Sequence, residues 1–555
     1  MRKMKHKYAK LLIVFVSAIL ILIGCSSGGG NNSQNQGQSG SQGQSQNQNQ
    51  GQSGSQGKGQ QAVAETVVIG RINLGDETFL PWNGNAERFY YLSGTIYESL
   101  FYKDRMGRDL PMLAKEYTMS PDGLVWTIRI HEGIQFHDGW GEVTSEDVKY
   151  TFDRLMGDDS VMHITPGLRD EVDRMETPDK YTIVFYLKKP NPVFHNIYLG
   201  SDMVGVVSKK YVEQVGDQAA NDKPIGTGPY TLSEHVSGAH IVLTTIDGVE
   251  NHWRITPDFK NIKLVVRPEL QARVAGLKAG ELDLVEIEHA AIPELQKVSG
   301  VHVIRRNEGA DVDLIRFGGI NMLNEKVYTP TNPWVDERVR QAMSYAINKQ
   351  EIADTIFYGL ADPAPSGSYI AEWDHLPPYP YDPAKAKALL AEAGYPNGFS
   401  VTLVTDNRSS NPILAEIVAG YWREIGLDVK LETMDWPSLR ESWATGGMNN
   451  KVWVHRGVYS GNDPLTSVDL PLTPASSMAT YSDETSEKLR QQYRGEMDAQ
   501  KRSQYLRELG EYLHQKAAWG QIVKVYRPAA MSEKIVEPTE TIDVLRNVEY
   551  LKANR

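Results

Sequence analysis

Cys25 is the single cysteine in a chain of 555 residues, and its surroundings suit a thiol that is chemically modified. The chain starts with five Lys or Arg residues and no acid, and then runs through the apolar stretch Leu11–Ile23 to Gly24. The residues after the cysteine, Ser26–Gln60, are Ser, Gly, Asn and Gln apart from Lys58. This order of basic, apolar, small and polar segments predicts a secretion signal followed by a thiol that accepts a lipid.

The segment Leu22–Cys25 resembles the lipobox of bacterial lipoproteins, in which the cleaved chain begins at the lipidated cysteine. We therefore expect a signal peptide over 1–24, a lipid on Cys25 and a disordered polar tether over 25–61. A membrane-spanning anchor is the alternative, but 13 apolar residues fall short of the roughly 20 that cross a bilayer. The expected location is the outer face of the cytoplasmic membrane, in the periplasm or the cell-wall zone.

Adjacent carboxylates are the next candidates for chemistry, because two acids serve as general acid and base in hydrolysis. Glu146-Asp147 and Asp158-Asp159 are such pairs. Pairs at helix starts and turns are more often solvated caps, and the chain after Ala62 contains no G-x-S-x-G or H-E-x-x-H motif. We predict that the protein is not an enzyme.

Metal ligation is not indicated by the spacing of the soft and nitrogen ligands. The 13 histidines show no His-x-x-x-His spacing, and one cysteine allows no Cys-x-x-Cys. We predict no metal and no cofactor.

The charge balance disfavours polyanionic partners. Without residues 1–24, 53 Lys and Arg stand against 70 Asp and Glu, a formal net charge of −17. Nucleic acid is a poor partner for such a chain, and the membrane is expected to hold it through the lipid only.

The elements that position any site follow a mixed α/β pattern over the 494 residues from Ala62 onward, which are enough for two or three lobes. We predict strands at 66–69, 125–128 and 262–266, and amphipathic helices after Asp336, over 337–357, and after Thr144. Asp382-Pro383 reads as the cap and first residue of a third helix that ends at Gly394.

Two extended runs far apart in sequence, Asp313–Phe317 and Ile522–Tyr526, look like crossing strands. Their pairing would place 62–318 in a first lobe, 319–521 in a second lobe, and 522–555 back in the first. Two connecting strands would allow the lobes to close around a ligand.

Five motifs in sequence order are similar to those of the family 5 extracellular solute-binding proteins, the oligopeptide, dipeptide and nickel-type receptors of ABC importers. Leu113–Met156 contains Ser-Pro-Asp-Gly, two strands, Gly-x-x-Phe-His-Asp-Gly and a Glu-Asp-Val helix start. The others are Pro224–Tyr230, Leu277–Asp283, Val335–Ala342 with Tyr345–Ile347, and Tyr381–Leu390 with Ala393 and Gly394. Each is weak alone, but their order over residues 66–530 identifies the chain as a member of this family.

The resemblance implies a two-lobed, type II periplasmic-binding-protein-like fold of the larger class, with an extra subdomain in the first lobe. It implies a monomeric receptor that encloses a small-molecule or oligopeptide ligand and docks on the permease subunits of an ABC importer. A ligand that touches both lobes favours the closed state and so shifts the population toward it.

In the first lobe, the candidate ligand contacts are Trp82, Asn83, Tyr97 and Glu98. Trp82 offers a stacking face and Asn83 an amide in the loop after the first strand, and the family has a similar Tyr-Glu pair at 97–98. Core packing is the alternative for each aromatic residue. We expect the glycines of Gly226–Pro229 to be structural, because such a turn permits positive φ and close chain approach.

In the second lobe, the segment 452–464 carries the candidates Trp453, His455, Arg456, Tyr459 and Asp463. Peptide-binding members have an aspartate here that takes the ligand's ammonium group, followed by an Asp-Pro step. This chain keeps Asp463-Pro464 but has no acid over 454–462. Either Asp463 takes the ammonium, or the ligand is neutral or anionic and Arg456 meets it. Trp373 and Trp436 are further candidates, with packing again as the alternative.

Three functions therefore compete. The favoured one is an importer receptor for a peptide-like or other polar organic solute. A ligand-sensing or adhesive lipoprotein on the same fold is the second, and an exported hydrolase is the third.

Overall fold

A computed structural model gives the fold. It describes residues 64–84, 92–103, 109–199, 204–365, 370–408, 411–457, 471–476, 478–536 and 544–555, with the backbone alone at 103, 109, 307–310 and 371. The expected signal peptide, the lipid site at Cys25 and the tether lie outside these ranges.

The described chain contains both strands and helices. The strands are β1 (Ala64–Arg71), β2 (Phe101–Lys103), β3 (Asp109–Pro111), β4 (Ala114–Met119), β5 (Val125–Ile130), β6 (Val172–Asp179), β7 (Thr182–Leu187), β8 (Tyr230–Val236), β9 (His240–Thr245), β10 (Phe259–Val266), β11 (Leu284–Glu286), β12 (Val301–Phe317), β13 (Ala361–Pro363), β14 (Ser400–Asp406), β15 (Asp428–Met434), β16 (Val452–Gly457) and β17 (Gly520–Ser532). The strands predicted at 66–69, 125–128 and 262–266 are confirmed as parts of β1, β5 and β10.

The α-helices are α1 (Ser145–Leu155), α2 (Thr165–Glu171), α3 (Lys209–Val215), α4 (Asp217–Asp222), α5 (Leu270–Lys278), α6 (Ile292–Leu295), α7 (Glu337–Tyr345), α8 (Lys349–Ile356), α9 (Pro383–Glu392), α10 (Asn411–Glu424), α11 (Trp436–Ala444), α12 (Glu484–Gly495) and α13 (Ala499–Gln515). Short 3-10 turns lie at His137–Gly139, Val249–Asn251, His289–Ala291, Pro333–Val335, Ala371–Trp373 and Val548–Tyr550, and a π-turn lies at His195–Leu199. Within the described ranges, no helix is both long and apolar enough to cross a bilayer.

The helix ends that were predicted from neighbouring residues are confirmed for α1 and α9. The backbone N–H of Thr144 donates to Asp147 Oδ2 at 2.9 Å in the predicted capping box of α1. Asp382 caps α9, and Gly394 follows that helix with φ 92°.

The prediction of one continuous helix over 337–357 is wrong. The chain breaks after Tyr345, and Asn348 starts α8 by accepting the N–H of Glu351 at 3.2 Å. The buried Lys349 ammonium fills the break, because it donates to Ser344 O at 2.8 Å and to Tyr379 O at 3.0 Å. The spacing of apolar residues does not reveal such a break, since Ala346 and Ile347 are buried here and would also be buried in a continuous helix.

The largest sheet has 11 strands, in the order β15-β14-β16-β12-β17-β11-β1-β10-β9-β8, with β13 also on β17. Its parallel pairs are β1 with β10 and β11, and β14 with β15 and β16, and the rest are antiparallel. A separate antiparallel sheet, β4-β5-β7-β6, packs on α1, where Phe152 meets Phe185 edge to face. β2 and β3 form a small hairpin sheet.

β12 and β17 are the long strands at the middle of the main sheet, and they confirm the predicted crossing pair. They run antiparallel from Val301 opposite Ser532 to Ile315 opposite Gly520, with a register shift between Arg306 and Asp311. A register shift of this kind places extra residues on one strand, which bend that strand and increase its twist.

Each of these two strands contributes to two different hydrophobic cores. Ile304 and Ala529 belong to a first core, whose other members lie between Val67 and Leu284 and between Met531 and Ala553. A smaller core contains Ala530 of β17. Val312 and Tyr526 belong to a second core, built by residues 312–526. Along both strands the core therefore changes near the register shift, at about 305–311 and 527–528. The lobe boundaries at 318/319 and 521/522 stay predictions.

Candidate functional site

Two of the candidates before β2, Trp82 and Tyr97, pack inside the first core. Trp82 is fully buried, its Nε1 donates to Asp217 Oδ2 at 3.1 Å, and the Arg154 guanidinium lies 4.2 Å from its ring centre. The neighbouring Asn83 is half-buried, and its carbonyl accepts the Thr78 hydroxyl at 3.3 Å. These contacts fix the loop after β1, and a ligand contact at either residue stays a prediction.

Glu98 is a fully buried carboxylate with a complete set of donors. Its Oε1 accepts from Arg254 Nε at 2.6 Å, and its Oε2 accepts from the Thr227 hydroxyl and from Trp253 Nε1, both at 2.8 Å. Because every partner belongs to this chain, Glu98 ties the Gly226–Pro229 turn and residues 253–254 together. Tyr97 beside it is also buried.

Glu549 lies on the other side of the same arginine, but its carboxylate makes no hydrogen bond with the described residues. Arg254 Nη1 is 3.6 Å from Glu549 Oε1, which is too long for a hydrogen bond. Burial raises the pKa of Glu549 to about 7, although the charge of Arg254 opposes that shift. One arginine thus faces two buried acids, and Glu98 holds it.

The Gly226–Pro229 turn is structural, as expected, but the reason is close approach and not positive φ. A Cβ on Gly226 would lie 1.9 Å from Ile96 O, and one on Gly228 would lie 2.2 Å from Thr95 O. His137 clamps the turn: its Nδ1 accepts the Gly226 N–H at 3.3 Å and its Nε2 lies 2.7 Å from Gly228 O. The imidazole is therefore neutral with its proton on Nε2, in keeping with a pKa lowered mainly by burial.

Trp373 and Trp436, the candidates outside β16, have different surroundings. Trp373 is buried in the second core, and its Nε1 donates to Leu506 O at 2.7 Å. Trp436 is half-buried at the start of α11, with the Arg408 guanidinium 3.6 Å from its ring centre. Arg408 in turn makes a bidentate pair with the buried Asp406, at 3.0 and 2.9 Å.

Arg456, the predicted partner of an anionic ligand, lies in a bidentate ion pair with Asp313. Its Nε and Nη2 are each 2.8 Å from the two carboxylate oxygens, and Asp313 is fully buried. The pairing follows from the register, because the two residues are opposite each other on β16 and β12. Asp313 already neutralises the charge of Arg456, which disfavours a contact with an anionic ligand. The role of Arg456 as a ligand contact stays a prediction.

A second group lies on the opposite face of the same two strands. We call Arg316, Trp443, Trp453 and His455 the arginine cluster; all four are at least nine-tenths buried. The Arg316 guanidinium lies 5.2 Å from the Trp443 ring centre, and Trp443 lies 5.3 Å from Trp453 and 5.6 Å from His455. Two members, Trp453 and His455, are ligand-contact candidates from the sequence, and that role stays a prediction.

Arg316 and Trp443 were not among the candidates named from the sequence. The available signal was a single arginine inside an otherwise apolar run, Leu314 to Phe317, which is unusual for a buried strand. Burial lowers the pKa of Arg316 to about 9, so the guanidinium remains charged at neutral pH. Burial, with the charges of Arg316 and Arg408, lowers the pKa of His455 well below its usual range and leaves a neutral imidazole.

Of the paired carboxylates considered for catalysis, Asp158 and Asp159 are exposed and lie 3.5 Å from Arg169 and 3.4 Å from Arg154, and Glu146 and Asp147 make hydrogen bonds within the chain. Asp147 accepts from Thr144 in the capping box and from the Lys209 N–H at 2.9 Å, and Glu146 accepts the Thr177 hydroxyl at 2.5 Å. Over the described part of the chain, no three His, Cys, Asp or Glu side chains are grouped as metal ligands. Tyr459 and Asp463, like Cys25, lie outside the described residues.

Comparison with known proteins places these features in a family. The model of the bacterial extracellular solute-binding proteins, family 5 (middle region), matches residues 110–478. The chain is 26% identical to heme-binding protein A of Haemophilus influenzae, over 77% of this chain and 81% of that protein. It is also 26% identical to the dipeptide-binding protein of Escherichia coli, over 64% of this chain and 71% of that protein.

Among solved structures, the chain resembles the ABC transporter-associated periplasmic binding protein DppA of Helicobacter pylori, solved in complex with the peptide STSA. The TM-score is 0.62 at 23% identity, over 89% of this chain and 99% of that one. This likeness shows the fold, and it confirms the predicted two-lobed binding-protein class.

Proposed function

Because the chain belongs to the bacterial extracellular solute-binding proteins of family 5, we propose that it is a lipid-tethered receptor for an ABC importer. It captures a peptide-like or other polar organic solute between two lobes and delivers it to the permease. It acts as a monomer at the outer face of the cytoplasmic membrane, and it makes and breaks no bond in the solute.

The observation that carries this proposal is the division of β12 and β17 between two cores. Ile304 and Ala529 pack in one core, and Val312 and Tyr526 pack in the other. The strands that join the two cores carry a register shift, between Arg306 and Asp311, at the change from one to the other. Such a connection supports hinge closure, in which a solute that contacts both bodies favours the closed state.

The tether supports the membrane-held form of the receptor. Ser26–Gln60 contains only small polar residues apart from Lys58, and a Gly-rich coil of this length has an r.m.s. reach of about 30–35 Å. A lipid on Cys25 would therefore keep the folded part close to the permease while leaving it free to turn.

Two observations bear on the class of solute: the names of the relatives, and the side chains at the end of β16. One relative is named for dipeptides and another for haem. In this chain β16 ends in His455, Arg456 and Gly457, with no acid for a ligand ammonium group. We propose that a free amino terminus is not the group that the second lobe recognises.

The test is thermal unfolding of the full-length protein, purified in detergent, with three probes: a dipeptide pool with free termini, the same pool acetylated at its amino termini, and haem. A solute at 100 times its Kd stabilises the folded state by about 2.7 kcal/mol, which is a readable shift. We expect the acetylated pool to act at least as well as the free pool. A response to free-amine peptides alone would contradict this specificity.

Uptake separates the importer receptor from its competitors. A labelled probe that binds is followed into cells with and without the protein, and with and without the permease. Loss of uptake in both deletions supports the receptor. Binding without permease-dependent uptake favours a ligand-sensing or adhesive lipoprotein, and recovery of a chemically altered probe favours a hydrolase.

A further inference from the structure

The arginine cluster is assembled by strand register and by one helix. Arg316 lies opposite Trp453, and Leu314 opposite His455, in the antiparallel pair β12–β16. Side chains of directly opposed residues point to the same face of a sheet. α11 covers that face and brings Trp443 against both Trp453 and His455. The four side chains therefore lie together, buried between the sheet and α11.

Each side chain of the cluster has a buried polar atom without a hydrogen-bond partner in the described part of the chain. Arg316 Nε, Trp443 Nε1, Trp453 Nε1 and His455 Nδ1 are buried, and none has a hydrogen-bond partner among the described residues. Arg316 Nη1 donates a long bond, 3.3 Å, to the Thr480 hydroxyl, which also accepts from Trp519 Nε1 at 3.2 Å. Buried donors are almost always satisfied in folded proteins, so a group of them in one place is unusual.

The charge of Arg316 is also unbalanced within the described structure. Each neighbouring arginine has its own carboxylate: Arg456 pairs with Asp313, and Arg408 pairs with Asp406. Arg316 makes no ion pair with a described residue, and its nearest aromatic contact is the Trp443 ring at 5.2 Å. Burial disfavours its charged form and no described acid offsets this, which is why the pKa of Arg316 is lowered.

We propose that Arg316, Trp443, Trp453 and His455 form a subsite for an oxyanion group of the solute, a carboxylate or a phosphate; this inference rests on the receptor function proposed above. A guanidinium and two indole N–H groups offer only donors, which suit an oxyanion and repel an ammonium. The neutral His455 adds one further donor or acceptor, according to its tautomer. An oxyanion would satisfy the unpaired donors and balance the buried charge in one step.

The subsite and a structural role for Arg316 predict opposite effects of removing this arginine on the stability of the empty protein. A buried cation without a partner destabilises the folded state, so its removal should stabilise the empty protein. If Arg316 instead contributed through its contact with Trp443, its removal should destabilise the protein. The stability of the empty variant and its response to anions are therefore independent readouts.

The experiment measures thermal unfolding midpoints of the full-length protein in sodium acetate, in sodium phosphate, and in neutral acetamide, with chloride keeping the ionic strength constant. The variants are Arg316→Met, Arg316→Lys, and the matched control Arg408→Met, which removes a neighbouring arginine that already has a carboxylate. Acetate and phosphate distinguish a carboxylate from a phosphate as the recognised group.

We expect acetate or phosphate to raise the wild-type midpoint relative to chloride, and acetamide to leave it unchanged. Arg316→Met should weaken anion binding at least tenfold and raise the midpoint of the empty protein by roughly 2 °C. Arg316→Lys should retain part of the anion response. Arg408→Met should lower the midpoint, because Asp406 loses its partner, and should keep the anion response.

An anion response that is absent in the wild type, or equal in the wild type and Arg316→Met, would overturn the subsite. A lower midpoint of empty Arg316→Met together with no anion response would assign the arginine a structural role. The receptor function is judged separately: a dipeptide pool or haem that binds both proteins equally upholds the receptor and removes the subsite. Anion binding through Arg316 without permease-dependent uptake upholds the subsite and removes the receptor function.

Discussion

Asp313 and Arg456 lie opposite each other on β12 and β16, and the carboxylate takes both Nε and Nη2 of the guanidinium at 2.8 Å. The residues are 143 positions apart in sequence. The pair lies on one face of the two strands and the arginine cluster on the other. The charge of Arg456 is therefore balanced on one face, whereas that of Arg316 has no described carboxylate on the other. We accordingly expect Arg456 to contribute to stability and Arg316 to bind an oxyanion.

We predict that Asp313→Asn destabilises the protein by about 3 kcal/mol or more, because it leaves Arg456 largely buried without its carboxylate. Urea unfolding of the full-length protein measures the change. Asp311→Asn is the control: Asp311 is 3.4 Å from Arg527 and burial raises its pKa, so its loss should cost much less. Equal effects of the two substitutions would contradict the assigned importance of the Asp313–Arg456 pair.

We expect Glu98 to contribute mainly to the stability of the folded protein and not to ligand binding. Glu98→Gln removes the charge that holds Arg254, and we expect a loss of about 3 kcal/mol or more in the free energy of unfolding. In the double variant Glu98→Gln with Arg254→Met, the loss should be smaller than the sum of the single losses, since neither charge is left alone. If Glu98→Gln kept the wild-type stability but lost solute affinity, Glu98 would instead be identified as a ligand contact.

Glu549 should make stability depend on pH. Its pKa is raised from an ordinary value near 4.5 to about 7, so the folded state holds a proton that the unfolded state has lost between those values. The corresponding stability is present below pH 4.5 and is lost as the pH rises to about 7. Glu549→Gln should remove this loss and should exceed the wild type above pH 7 by about 3 kcal/mol.

The measurement for Glu549 is the free energy of unfolding of both proteins at intervals from pH 4.5 to 8. The difference between them should grow over that window and then stay constant. A difference that is flat over the whole range would show that Glu549 ionises normally in the folded state.

Gly226→Ala should be strongly destabilising, by about 3 kcal/mol or more, because the new Cβ would lie 1.9 Å from Ile96 O, a backbone atom. Gly420→Ala is the matched control. Gly420 lies inside α10 with nothing within 4 Å of its added Cβ, so alanine should stabilise by about 1 kcal/mol. Thermal unfolding of both variants tests the pair, and a mild effect at Gly226 would contradict the close packing of the turn.

Much of the local structure was readable from the sequence. The capping box at Thr144, the Asp382-Pro383 helix start and the β-branched strands depend on residues within a few positions of each other, and local patterns record them. The pairing of 313–317 with 522–526 was also predicted, from two extended runs that lie far apart in sequence. The order of family motifs then gave the fold class.

Contacts between distant residues required the tertiary structure. The sequence indicated that Arg456 was available for a ligand, and only the strand register placed Asp313 against it. Arg316 appeared as one more residue of a strand, and only burial under α11 left it without a carboxylate among the described residues. Sequence determines which groups are present and their local conformation, whereas charge balance and hydrogen-bond satisfaction depend on neighbours that a long-range register brings together.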